Sequence, residues 1–176
     1  MTGHRVTIDW MGGPIETLAE LLPPSPRAVC VGINPAPSSV TAGHYYQGRQ
    51  GQRFFARLER AGILPRVRGG FEDDVAVGRG IGFTDVVKRP TGRADELSSA
   101  ELSHGAARLS EKLHDIGAPV LIFPFKAAAV ALVGRFDGNG WLDVGFAGSR
   151  LFVMPGPYES AATAQPTVAS LAADLR

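Results

Sequence analysis

Ala28-Val29-Cys30-Val31-Gly32-Ile33-Asn34-Pro35-Ala36-Pro37-Ser38-Ser39 is the stretch whose reading decides the fold. Its first part is an unbroken apolar run. That is the pattern of a strand buried on both faces, and such strands belong to parallel sheets covered by helices. Its second part is too rich in glycine, proline and small polar residues to continue the strand. In open α/β sheets, ligands bind where such loops leave the carboxyl ends of strands. The loop offers the Asn34 amide, the Ser38 and Ser39 hydroxyls and free backbone N–H groups, but no lysine. It suits a neutral hydrogen-bonding ring or a water better than a triphosphate.

Outward from this strand (Arg27 to Ile33), the N-terminal side reads as a loosely structured start over residues 1–13. A short helix from Pro14 to Leu22 follows, stopped by Pro23-Pro24-Ser25-Pro26. On the other side, Gln50 to Gly62 reads as a helix with Phe54, Leu58 and Ala61 on one face. Arg53, Arg57 and Arg60 repeat that spacing on another face, the pattern of a solvated stripe. Residues 64–78 read as irregular, and Arg79 to Val87 as a second strand. Ser98 and Glu101 form a capping box that opens the longest helix, with the stripe Leu102, Ala106, Leu109, Leu113, Ile116. Pro119 to Phe123 is a third buried strand, and Lys126 to Val133 a small-residue helix ended by Gly134. Trp141 to Gly145 and Arg150 to Met154 read as strands around the turn Ala147-Gly148-Ser149. Met154-Pro155-Gly156-Pro157-Tyr158 is a second rigid loop, and Thr167 to Arg176 a closing helix. The alternation predicts one domain over residues 1–176. Its fold class is α/β, a three-layer α/β/α sandwich on a central, mainly parallel four- to five-stranded sheet.

Composition narrows the chemistry. At 176 residues, 44% hydrophobic and 20% charged, the chain reads as an ordinary globular domain. Cys30 is the single cysteine, which leaves no disulfide framework and no thiolate set for zinc or an iron–sulfur cluster. The four histidines lack metal-ligand spacing, so no metal is expected. No apolar stretch approaches the roughly 18 residues of a membrane span, and the N-terminus lacks a signal-peptide shape. A net charge of +1 neither demands nor excludes nucleic acid.

At this point several segments, taken in order, resemble a known family. Gly32-Ile33-Asn34-Pro35 is similar to the first motif of the mismatch-specific uracil-DNA and thymine-DNA glycosylases, within the uracil-DNA glycosylase superfamily. Gly43-His44-Tyr45-Tyr46-Gln47-Gly48, followed by Arg53-Phe54-Phe55, resembles that family's aromatic base-binding segment and the helix after it. Val87-Lys88-Arg89-Pro90-Thr91, then Glu96 to Leu102, Gly105 and Arg108-Leu109, resembles its middle region. Phe152-Val153-Met154-Pro155 looks like the strand leading into its DNA-intercalating loop. The similarity covers roughly residues 27–175. It implies an enzyme that flips uracil, or another deaminated or mismatched base, out of DNA and hydrolyses the N-glycosidic bond. Such an enzyme needs no metal or cofactor, works as a monomer, has DNA and no membrane as its partner, and is cytoplasmic and nucleoid-associated.

The resemblance assigns roles residue by residue. Asn34 is the catalytic residue that positions the hydrolytic water. The transition state is oxocarbenium-like, so a well-held water counts for more than a strong base. Asp85, in Phe83-Thr84-Asp85-Val86-Val87, is a second catalytic candidate at the end of the second strand. Family members carry lysine or aspartate there, and a carboxylate can activate water or stabilise the cationic sugar. Tyr46 matches the aromatic that stacks on the flipped base, a contact worth about 1–3 kcal/mol. Gly32, Ile33, Ser39, Gly156 and Pro157 complete the substrate-binding set. Ser38, Lys88, Arg89, Tyr158 and Ser160 are the DNA-binding candidates, with Tyr158 the wedge for the vacated stack.

The second loop departs from the pattern. Bacterial relatives carry Asn-Pro-Ser-Gly there, and thymine-specific ones a serine-rich segment with an arginine wedge. Here the asparagine position is Gly156. That departure keeps open a second class, a DNA-lesion binding module of the same fold with little or no catalysis. A third class, a Rossmann-like nucleotide binder, is weakened because the loop has neither GxGxxG spacing nor a P-loop lysine.

Overall fold

The computed structural model describes residues 3–176. Five strands form the central sheet: β3 (Ala28–Gly32), β4 (Ile81–Asp85), β5 (Val120–Phe123), β6 (Gly140–Phe146) and β7 (Ser149–Val153). Their spatial order is β4-β3-β5-β7-β6. The first four run parallel, and β6 is antiparallel to β7 at the edge. The expected α/β sheet is therefore present.

Strand periodicity places the two cores. Ala28 and Cys30 of β3, Val120 and Ile122 of β5 and Phe152 of β7 face one hydrophobic cluster. Val29, Val31, Leu121, Phe123, Leu151 and Val153 face the other. The first cluster is covered by α2 (Arg49–Arg60), α3 (Glu72–Val77) and α6 (Ala161–Asp174). The second is covered by α4 (Ser99–Ile116) and α5 (Lys126–Val133). The α4 start carries the expected capping box, with Ser98 Oγ accepting from Glu101 N and the Glu101 carboxylate accepting from Ser98 N. A short α1 (Pro37–Ala42) follows the β3 loop directly.

The N-terminal reading is corrected. Residues 5–18 form an antiparallel hairpin of β1 (Arg5–Trp10) and β2 (Gly13–Leu18), not a loose start followed by a helix. Residues 1 and 2 of that start lie outside the described residues. The signal was there in period 2, because Val6, Ile8 and Trp10 alternate with more exposed neighbours. The turn uses Met11 and Gly12, both at positive φ, and Pro14 was misread as a helix start. Beyond the hairpin, Leu21 exchanges two backbone hydrogen bonds with Phe83, so this segment covers the outer edge of β4. Two smaller corrections concern helices. Residues 72–77 are helical within the stretch read as irregular, and α6 begins at Ala161 with Pro166 inside it.

Candidate active site

Parallel strands bring the carboxyl ends of β3, β4, β5 and β7 to one edge, and the predicted residues gather there. Gly32 and Asp85 end adjacent strands and are register partners. A Cβ on Gly32 would lie 2.1 Å from Asp85 Oδ1, so only glycine lets the carboxylate occupy this spot. Asp85 is 2% exposed, and its Oδ1 has no hydrogen-bond partner among the described residues. Burial pushes its carboxyl up to about 7. The nearby Lys88 charge opposes this shift and Glu20 adds to it.

Asn34 is fixed by its nitrogen. Nδ2 donates to Thr91 Oγ1 at 2.7 Å and to the Arg89 carbonyl at 3.0 Å, with a longer contact to Pro35 O at 3.4 Å. These bonds identify the amide orientation and commit the donor end to the protein. The carbonyl end, Oδ1, is the group available to a water.

Behind Asp85 lies an ion-pair network that sequence reading missed. Lys88 Nζ donates to Glu20 Oε1 at 2.8 Å, Thr84 Oγ1 at 2.9 Å and the Asp85 carbonyl at 2.6 Å. Thr84 and Lys112 also bond to Glu20. Burial alone would push Glu20 up, but the Lys88 charge and the bonds from Lys112, Lys88 and Thr84 pull it down to about 2. Arg89 is likewise committed, donating to both Glu101 oxygens at 2.6 and 2.9 Å. The two cations expected to face phosphate are thus engaged by carboxylates of the fold.

The second loop is hung on Arg57. This residue is 8% exposed and donates to the carbonyls of Pro155, Gly156 (2.8 Å) and Glu159 (3.0 Å). Its expected place on a solvated stripe is therefore corrected. Glu159 turns inward as well, its Oε1 accepting from Gly156 N at 2.5 Å and from Asn139 Nδ2 at 3.1 Å. Tyr158 stands out at 76% exposed. Its hydroxyl accepts from Gln50 Nε2 at 3.1 Å, and the Arg53 guanidinium lies 5.3 Å from its ring centroid. Ser160 caps α6 through Thr163 N. Ser38 is exposed on α1, while buried Ser39 accepts from Gln47 N at 3.1 Å and so holds the loop that carries Tyr46.

Between the two loops lies a cleft of about 500 Å³, lined in part by Ile33, Phe125, Lys126, Asn139, Gly156 and Pro157. That volume fits a single ring or nucleoside. Ile33, Gly156 and Pro157 meet there as expected, whereas Gly32, Asn34, Ser39, Tyr46 and Asp85 are not in its lining. Tyr46 is 9% exposed and walled by Tyr45, Phe54, Phe55, Phe83 and Phe125. Phe125 is half-buried and is the aromatic whose surface the cleft receives. It follows the third buried strand directly, so the strand-edge rule could have found it. Arg57 carried no such signal. A larger cleft of about 960 Å³ lies between the hairpin and α4, and it is this cleft, with Trp10 and Lys112, that Asp85 borders.

For a metal, the fold brings together residues that sequence spacing had separated. His4, His44 and Asp73 place potential ligand atoms within 4.8 Å of one another. These groups already have protein partners. His44 Nδ1 bonds to Asp73 Oδ1 at 3.0 Å and His4 Nε2 to Asp74 at 2.6 Å, while Tyr45 N donates to Asp73 Oδ2 at 2.8 Å.

What assembles at the sheet edge is a fixed amide, a buried carboxylate and, between two loops, a cleft with one aromatic residue, Phe125, in its lining. A family model described as "Uracil DNA glycosylase superfamily" matches residues 19–173, a span that contains every one of these groups.

Proposed function

The chain belongs to the uracil-DNA glycosylase superfamily, and from that premise we propose that it is a monofunctional, mismatch-type uracil-DNA glycosylase that starts base excision repair. Family membership supports a DNA glycosylase, a hydrolase whose substrate is DNA. The observation that supports the finer reading is that Asn34, two residues beyond the end of β3, and Asp85, at the end of neighbouring β4, lie at the same sheet edge, one clamped through its nitrogen and the other buried with a free oxygen.

Uracil cannot be reached inside the duplex, so it is flipped into the 500 Å³ cleft, where Phe125 offers an aromatic surface. Asn34 Oδ1 accepts a hydrogen bond from the attacking water. The water oxygen bonds to the sugar C1′ as the C1′–N1 bond breaks, and the electron pair of that bond leaves with the base. The water proton passes to the Asp85 carboxylate, whose negative charge also stabilises the cationic sugar. Tyr158 fills the vacated stack from the minor-groove side. The protein acts as a cytoplasmic, nucleoid-associated monomer with no metal or cofactor.

End-labelled oligonucleotides carrying U:G, U:A, T:G or single-stranded U test this reading. Alkali cleavage after incubation reports base release, and strand cleavage without alkali would contradict a monofunctional enzyme. The expected result is release from U:G above all, abolished in Asn34→Ala with DNA binding retained. Binding to U:G with no release would favour a lesion-binding module.

A further inference from the structure

We propose that Tyr46 works through its hydroxyl, as the hydrogen-bond donor that positions the Asp85 carboxylate, and not through its ring as a platform for the flipped base. The inference rests on the reading of Asp85 given above. Its first ground is convergence. A Cβ built on Gly32 meets Asp85 Oδ1 at 2.1 Å and Tyr46 Oη at 3.3 Å, so both atoms crowd the same point beside one backbone carbon. Both atoms are also buried, and neither has a hydrogen-bond partner among the described residues, each other included. One is a donor and the other an acceptor, so a bond between them, made through one water or by a small side-chain shift, satisfies both.

The neighbours leave Asp85 no better donor. Lys88 Nζ reaches the main-chain carbonyl of Asp85, Thr84 and Glu20, and Glu20 is itself an acceptor. The Tyr45 hydroxyl donates to the Ala19 carbonyl at 3.1 Å. Cys30, the remaining titratable group facing Tyr46, is a weak donor whose thiol burial holds neutral.

The backbone around Tyr46 is built to aim this side chain. Tyr46 has φ +58°, a left-handed conformation that costs a non-glycine residue energy and persists where the surroundings enforce it. Gly51 makes the enforcement possible, because a Cβ there would lie 2.1 Å from the Tyr46 carbonyl oxygen. Five aromatic rings then wall the tyrosine at centroid distances from 5.5 to 6.1 Å, leaving little ring surface for a base. A stacking platform would present its face. This residue hides its ring and points its oxygen.

Tyr46→Phe keeps the ring and deletes the hydroxyl, so it separates the two roles. Single-turnover release from U:G DNA is compared across pH for the wild type, Tyr46→Phe, Asp85→Asn and the double variant. Loss of one charge-assisted hydrogen bond predicts about a tenfold fall in the maximal rate of Tyr46→Phe, with little change in the DNA concentration for half-maximal rate. The acid limb of its pH profile should move to higher pH, because the ionised carboxylate has lost a donor. The double variant should be no slower than Asp85→Asn, since the hydroxyl acts through that carboxylate. A wild-type rate and profile in Tyr46→Phe, with Asp85→Asn impaired, overturns the proposal and leaves the reading of Asp85 standing. Multiplying losses in the double variant overturn it too. A wild-type rate in Asp85→Asn removes the reading of Asp85 and the proposal with it. If Tyr46→Phe does not fold, Gly32→Ala is used, since its methyl displaces Asp85 Oδ1 from the hydroxyl. It should show the same limb shift, and an unshifted limb in that variant overturns the proposal.

Discussion

The two loops that line the cleft are held by opposite means. At the β3–β4 edge, side chains bond side chains and specific carbonyls. Asn34 is clamped by Thr91 and Arg89, Lys88 braces the end of β4, and two polar atoms are left buried and free beside Gly32. Across the cleft, Arg57 grips the second loop only by main-chain carbonyls, at Pro155, Gly156 and Glu159. The first arrangement depends on the identity of nearly every residue. The second depends on Arg57, on the Glu159 carboxylate that accepts from Gly156 N and Asn139, and on chain path, and so tolerates changes at the other side chains that the loop presents. This explains how the loop can carry Gly156, which offers no side chain, and still be held in place. On the proposed reading, chemistry falls to the first loop and recognition to the second.

The largest expected effects lie on the chemical side. Asp85→Asn should lower single-turnover base release by about 10²–10⁴-fold, the range for a positioned acid–base group, while DNA affinity changes little. The same variant should gain stability, with a pH dependence of definite sign. Asp85 has its carboxyl pKa raised from an ordinary 3.8 to about 7, so the folded state favours the proton. Its penalty is absent below the unfolded value and grows as pH rises towards about 7. Melting curves should therefore show Asp85→Asn several degrees above wild type at pH 8 and near it at pH 4. A stability gain that is equal at both pH values would mean that the Asp85 carboxyl titrates alike in the folded and unfolded chains, with no upward shift on folding.

Arg57→Ala comes next and tests the recognition side. It strips three carbonyls of a charged donor in a buried place, with an expected cost of about 2–4 kcal/mol by thermal or urea unfolding. Affinity for U:G DNA should fall about tenfold as the loop loosens, while the maximal rate at saturating DNA stays within a few-fold of wild type. A maximal rate that collapses as far as in Asp85→Asn would break the division between the loops.

How much of this was legible follows the physics of each signal. The sheet was, because Ala28–Val31 and Val120–Phe123 are uninterrupted apolar runs buried on both faces. So was the α4 start, since a capping box is local to Ser98–Glu101. Asn34 and Asp85 could be named as candidates from the family resemblance, with their positions near strand ends beside it. Their geometry could not, because it depends on partners 55 to 57 residues away. Arg57 was misread because its spacing with Arg53 and Arg60 is that of a solvated stripe, and only the return of the chain near residue 155 buries it. Tyr46 was legible as an aromatic. Which end of it works is decided by a positive φ and by Gly51, and sequence pattern does not reveal either.

Tyr158→Ala sharpens the comparison at lower amplitude. At 76% exposed, with only Gln50 and Arg53 against it, the side chain contributes little to stability, and the melting temperature should not move. If Tyr158 is the wedge as proposed, its removal should weaken binding to duplex U:G several-fold and leave release from single-stranded U unchanged, because single strands present no stack to fill. An equal loss on both substrates would make Tyr158 a general contact.

The smallest effect tests whether the chemical loop reaches beyond its own residues. Glu20 touches neither loop, yet its charge stands behind Asp85 and raises that carboxyl, while Lys88 lowers it. Glu20→Gln removes the anion and leaves Lys88 anchored on the Asp85 carbonyl and Thr84. The Lys88 charge then acts with less opposition, Asp85 ionises more readily, and the acid limb of base release should move to lower pH by less than about one unit. Lys88→Met should move it the other way. A structural defect alone would lower both variants at every pH without separating their limbs. Opposite shifts therefore identify the Glu20–Lys88 pair as a setting of the Asp85 charge, and coincident limbs would confine the chemistry to the strand ends.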